Sequence, residues 1–107
     1  MNEFRKTTHL SEILEESSLR PIIIFKYSSE CGTSSSLAKK LEDSIRDETI
    51  NHLIYLVIVQ THKALCGKIE TMFEIKHESP QIIILNKGKV TYTAHHKNIK
   101  IENFKYN

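Results

Sequence analysis

Three glycines and two prolines among 107 residues leave little room for linkers or low-complexity segments. No internal repeat is visible. The formal charge of +2 is too small to point to nucleic acid or to an acidic membrane surface. The longest apolar-dominated run, residues 53–59, is far too short to span a bilayer. Residues 1–6 lack the apolar core of a signal peptide. Two cysteines do not make a disulfide framework, so both thiols are expected to be free, in a reducing cytoplasm. What remains is a chain with 39% apolar residues. That suits one compact domain over residues 1–107, expected to be a monomer, with a core that needs no staples.

The apolar pattern predicts alternating helices and strands. A first amphipathic helix begins near Thr8, with Leu10, Ile13 and Leu14 on one face. Residues 22–27 read as a strand buried on both faces. A helix over 33–46 comes next, marked by Leu37, Leu41 and Ile45 at four-residue spacing. Residues 53–59 form a second buried strand. Thr61 caps a helix running to about Lys76, with Leu65, Ile69, Met72 and Phe73 inward. Residues 81–85 and 90–93 pair as a hairpin across Asn86-Lys87-Gly88. A last amphipathic helix spans about 97–105. Two right-handed parallel crossovers and a hairpin then give an α/β domain: a four-stranded mixed sheet flanked by helices. This is a thioredoxin-like fold with an extra N-terminal helix.

Within that outline Cys31 sits at a strand-to-helix turn. Helix N-termini carry roughly half a positive charge, which favours a thiolate over a thiol. The N–H groups or hydroxyls of Thr33 and Ser34 add donors, and Gly32 leaves room for an incoming disulfide. Ser34 stands where a dithiol enzyme keeps its resolving cysteine. A mixed disulfide on Cys31 therefore needs an outside thiol to clear it. The bland alternative is an ordinary loop cysteine. Cys66 lies at the edge of an apolar helix face and reads as a small hydrophobe, with a resolving role as the other possibility.

Pro80 precedes a strand. It is either a helix terminator or a cis proline that turns the Ser79 backbone groups toward Cys31. The six histidines show no spacing of a metal ligand set, so no metal is expected. His77 is near a helix end and suits the dipole there, or lies by the thiol. His95 and His96 come after a strand and are expected to face solvent, with one of them able to border the same cleft.

The segment Phe25-Lys26-Tyr27-Ser28-Ser29-Glu30-Cys31-Gly32-Thr33-Ser34 resembles the active-site region of monothiol bacilliredoxins of the YtxJ type. Lys76-His77-Glu78-Ser79-Pro80-Gln81 resembles their proline loop. Asn86-Lys87-Gly88-Lys89-Val90 resembles their hairpin, and Ala94-His95-His96 the segment after it. The family more often has Cys-Pro-Ile-Ser where this chain has Cys-Gly-Thr-Ser. The resemblance implies a thioredoxin-like fold, Cys31 as nucleophile and Pro80 in the cis form. It also implies removal of bacillithiol from client proteins, with bacillithiol as co-substrate and no tightly bound cofactor. Bacillithiol carries malate carboxylates, and Lys26 and His77 are the nearest candidate cations in sequence. Two other classes compete. Cys-Gly-Thr-Ser is close to the Cys-Gly-Phe-Ser of monothiol glutaredoxins, which work with glutathione or an iron–sulfur cluster. Their Thr-Val-Pro loop and glutathione-holding Gly-Gly are absent here, however. A non-catalytic adaptor or stress domain would keep the fold alone.

Overall fold

The run Ile22-Ile23-Ile24-Phe25 has no polar face, and the fold puts it where neither face meets water. The computed structural model describes residues 3–104. The chain forms α1 (Leu10–Leu19), β1 (Ile22–Tyr27), α2 (Gly32–Arg46), β2 (Leu53–Ile58), α3 (Lys63–Phe73), β3 (Gln81–Asn86) and β4 (Lys89–His95). Two 3-10 turns come after β4, at His96–Asn98 and Ile101–Asn103. The sheet order is β2-β1-β3-β4, with β1 central and parallel to β2.

Strand alternation splits the core in two. Ile23 and Phe25 pack with Leu37, Ala38 and Leu41 of α2. Ile22 and Ile24 pack with Ile13 of α1 and with Leu65, Cys66 and Ile69 of α3. The thioredoxin-like α/β arrangement expected from the sequence is therefore present, with helices on both faces. Among the described residues no helix is long and apolar enough to cross a membrane.

Four expectations are corrected. Only the first crossover is parallel. β3 pairs antiparallel with β1, because residues 74–80 carry the chain back to the end of β1 and set Gln81 opposite Lys26. The last helix is replaced by the two 3-10 turns. Ile99 and Ile101 are two residues apart, a spacing that a helix would put on different faces. The chain there instead buries Phe104 edge-on against Tyr92, and residue 105 lies outside the described residues. α3 starts after His62 without a side-chain cap, and Glu74 in the left-handed conformation stops it at Phe73. Met72, expected inward, is 53% exposed in the last turn of that helix.

The hairpin turns as expected at Lys87 and Gly88, both at positive φ. Buried Ser17 in α1 braces it: the Ser17 carbonyl accepts the Lys87 N–H at 2.7 Å and its hydroxyl oxygen accepts the Gly88 N–H at 3.1 Å.

Candidate active site

Cys31 is the N-cap residue of α2, with extended backbone, and is partly exposed. Its loop is closed on itself: the Cys31 N–H donates to the Ser28 carbonyl at 3.2 Å. The Cys31 carbonyl accepts from the Ser34 and Ser35 N–H groups at 3.1 and 3.3 Å. The Ser34 backbone N–H, above all, pulls the Cys31 thiol below its ordinary value. Partial burial opposes this, and the Thr33 N–H and the hydroxyls of Ser34 and Thr33 add to the lowering.

Ser34 itself is fully buried. Its oxygen accepts the Ser28 N–H at 3.2 Å, which leaves its own proton to donate toward the Cys31 sulfur. Gly32 has ordinary backbone, and a Cβ there would meet nothing within 4 Å. Its smallness serves no contact inside the chain and leaves open space beside the thiol.

Gln60, which the sequence does not mark, holds this loop from outside. Its side-chain oxygen accepts the Ser29 N–H at 3.1 Å, and its Nε2 donates to the Ser28 hydroxyl at 2.8 Å. A polar residue just past a strand carries no signal for such a role, since the contact joins segments about thirty residues apart.

The Ser79–Pro80 bond is cis. β3 begins at the next residue, opposite Lys26 of β1. Pro80 and the Cys31 loop therefore lie at the same end of the sheet. The Pro80 carbonyl accepts the His96 N–H at 3.0 Å, and the Gln81 side chain donates to the Lys76 carbonyl at 3.0 Å. These two bonds tie the proline loop at both ends.

The two candidate cations are brought together, but away from solvent in the case of Lys26. By alternation with Ile22 and Ile24 its side chain lies on the α3 face, 0% exposed, with Nζ 3.1 Å from Nδ1 of His77. Lys26 is thus not the open carboxylate-orienting group expected from its place in the sequence. Burial lowers its ammonium, against the pull of Cys66, Glu70 and Glu78. Burial, and next the Lys26 charge, lowers the His77 imidazole. The His77 N–H donates to Glu70 at 2.8 Å.

Cys66 is buried in the core of the α3 face, on the other side of the sheet from α2. Burial pushes its thiol up, the reverse of Cys31. The open basic side chains lie elsewhere. Lys40, His96 and Lys97 line a cavity of 210 Å³ together with Thr33. The sequence singles out neither lysine, because the first turn after β4 is what swings residues 96 and 97 toward α2.

Removing the Ser34 hydroxyl is expected to slow Cys31. In Ser34→Ala the thiol loses one donor and the Ser28 N–H is left without a partner, at a cost of about 1–3 kcal/mol in stability. Alkylation rate against pH should show the Cys31 midpoint moved upward. An unmoved midpoint means that the backbone N–H groups alone set it.

The geometry places a thiol at a helix start, and the fold that carries it is found in known proteins. Solved structures agree on the fold. A protein with a thioredoxin fold superposes with a TM-score of 0.81 at 20% identity, over 94% of this chain and 89% of the other. A thioredoxin from Halobacterium salinarum gives 0.74 at 14% identity, over 97% and 86%. One from Fasciola hepatica gives 0.67 at 17%, over 86% and 83%. Among curated proteins none matches the chain significantly. The family model described as monothiol bacilliredoxin BrxC matches residues 2–104. The chain belongs to the monothiol bacilliredoxin family, thiol-disulfide oxidoreductases built here on a thioredoxin-like fold.

Proposed function

We propose that this protein removes bacillithiol from protein mixed disulfides, and that Cys31 is the thiol that does so. The Cys31 thiolate attacks the bacillithiol sulfur of the mixed disulfide. The S–S bond to the client breaks, and the client sulfur leaves as a thiolate that takes a proton from water. Cys31 then carries bacillithiol in a new disulfide. A second bacillithiol thiolate attacks that bacillithiol sulfur, releasing the Cys31 thiolate and bacillithiol disulfide. Two electrons pass from the thiol pool to the client, and the protein is unchanged.

The observation that carries the reading is the contrast between the two cysteines. Cys31 caps a helix with its thiol lowered by Ser34 and Thr33, whereas Cys66 is buried with its thiol raised. Ser34 stands at the resolving position, and Cys66 is buried in the core on the α3 face of the sheet, so an external thiol completes the cycle. In this reading the Ser79 backbone pairs with the client's extended chain. Lys40 and Lys97 of the Thr33 cavity receive the malate carboxylates. Lys26 and His77 support the loop from beneath.

The test compares one client protein carrying either a bacillithiol or a glutathione mixed disulfide. Faster release of bacillithiol is expected, with transient bacillithiolation of Cys31 visible by intact mass. Substituting Lys40→Ala and Lys97→Ala together should narrow the difference. Equal rates in the parent protein would make it a generic monothiol redoxin. Faster glutathione release would move it to the glutaredoxin class.

A further inference from the structure

Three metal-ligating side chains that lie apart in the sequence converge beside the proline loop. They are Glu78 from residues 74–80, His95 at the end of β4 and His96 in the turn after it. Each offers a ligand atom within 4.8 Å of the other two. Consecutive residues of a strand point to opposite faces, so adjacent histidines would ordinarily diverge. Here His96 takes the left-handed conformation, φ 53°, and the chain turns its ring back onto His95. The two Nδ1 atoms come to 3.0 Å, with the rings edge to face.

We propose that Glu78, His95 and His96 form a binding site for a divalent transition-metal ion of the zinc class. Zinc–nitrogen bonds of about 2.0–2.1 Å at a tetrahedral angle separate two nitrogens by about 3.3 Å. The observed nitrogen pair is already close to one edge of that polyhedron. The close contact of the two Nδ1 atoms holds the rings together, and a metal ion between them would take its place. Glu78 completes a set of two imidazoles and one carboxylate, a donor mixture that suits zinc, nickel or copper rather than calcium or magnesium. The ion pair of Glu78 with Lys76 is long, 4.0 Å, and Lys76 is itself 87% exposed, so little is lost when the carboxylate turns to a metal ion.

Three protein ligands leave a fourth position open to water or to a thiolate from solution. The His96 N–H is bonded to the Pro80 carbonyl, and its ring lines the cavity shared with Thr33. The ion would therefore sit at the rim of the thiol cleft. The site goes beyond the exchange chemistry and stands whether or not bacillithiol is the partner thiol.

The test is calorimetric titration of zinc chloride into the untagged full chain carrying Cys31→Ser and Cys66→Ser, so that neither thiolate takes the metal. One ion per chain is expected. His95→Ala and His96→Asn should each weaken binding at least tenfold, and Glu78→Gln by a smaller but measurable factor. Asparagine is chosen at 96 because it tolerates the left-handed backbone. Circular dichroism of each variant separates lost ligation from lost fold. Cobalt in place of zinc should give a visible absorption spectrum that disappears in the two histidine variants. Absence of stoichiometric zinc binding, or binding unaffected by either histidine substitution, would overturn the proposal.

Discussion

Substituting Cys31→Ser is expected to drop thiol–disulfide exchange to the uncatalysed background, while Cys66→Ala leaves the rate nearly unchanged. The reason is positional. Exchange needs a thiolate at a sulfur that a disulfide can reach. Cys31 is partly exposed at the start of α2, where the Ser34 N–H, then the Thr33 N–H and the two hydroxyls, favour the ionised form. Serine keeps the shape but not the nucleophile. Cys66 is buried among Val57, Leu65 and Ile69, and burial holds its proton on. Truncating it removes one core sulfur and should lower stability by about 1 kcal/mol, the usual size of a point substitution. The measurement is the steady-state rate on a mixed-disulfide substrate, with unfolding midpoints recorded on the same samples. Comparable losses of rate from both substitutions, with both proteins folded, would indicate a two-cysteine cycle and sink the monothiol mechanism.

The features legible in the sequence are those set by local spacing. β1 is readable because a β-branched run with no polar face fits only a central strand. α2 is readable because Leu37, Leu41 and Ile45 recur every four residues. The thiol site is legible for the same reason: Cys31, Thr33 and Ser34 are neighbours in the chain, and the helix start joins them. What local spacing does not carry is the direction of β3, since a connection of seven residues can return to either end of the sheet. It does not carry Gln60 either, whose role arises only when β2 ends beside the Cys31 loop. The C-terminal segment misleads because lysines between isoleucines look amphipathic, although the two-residue spacing of Ile99 and Ile101 already argues against a helix. Lys26 is a different case. Its alternation with Ile22 and Ile24 does place it inward, and its charge draws attention to the surface instead.

A Lys26→Met protein is expected to be more stable than the parent, by about 1–4 kcal/mol, the range found when a buried ion pair gives way to apolar side chains of similar volume. In a domain of about this size each kcal/mol raises the thermal midpoint by about 4–8 °C. Lys26 has no exposed surface, and its Nζ meets a neutral imidazole rather than a carboxylate. Glu70, Glu78 and the Cys66 thiol act on it from a distance and only partly offset the loss of water. Methionine fills the same unbranched volume and leaves no charge stranded, because His77 is partly open to solvent. The pH dependence separates this cause from a simple packing gain. Burial, and then the Lys26 charge, holds His77 below its ordinary value in the folded state. The unfolded chain therefore binds a proton that the folded chain refuses, and folding stability falls as the pH drops below about 6.5, the unfolded value. Above that pH both states hold a neutral ring and the contribution vanishes. Removing Lys26 removes the second of the two causes, so the variant should lose less stability between neutral pH and pH 5 than the parent does. The ammonium's own penalty is full below its lowered folded value and is relieved as the pH rises from there toward the unfolded value of about 10.4. The variant's advantage should accordingly persist across the neutral range and shrink in alkali. Thermal melts at pH 5, 7 and 9 test all three points. A lower midpoint at pH 7 would mean that the Lys26–His77 contact stabilises the fold, and an acid limb identical to the parent's would mean that the Lys26 charge does not act on His77.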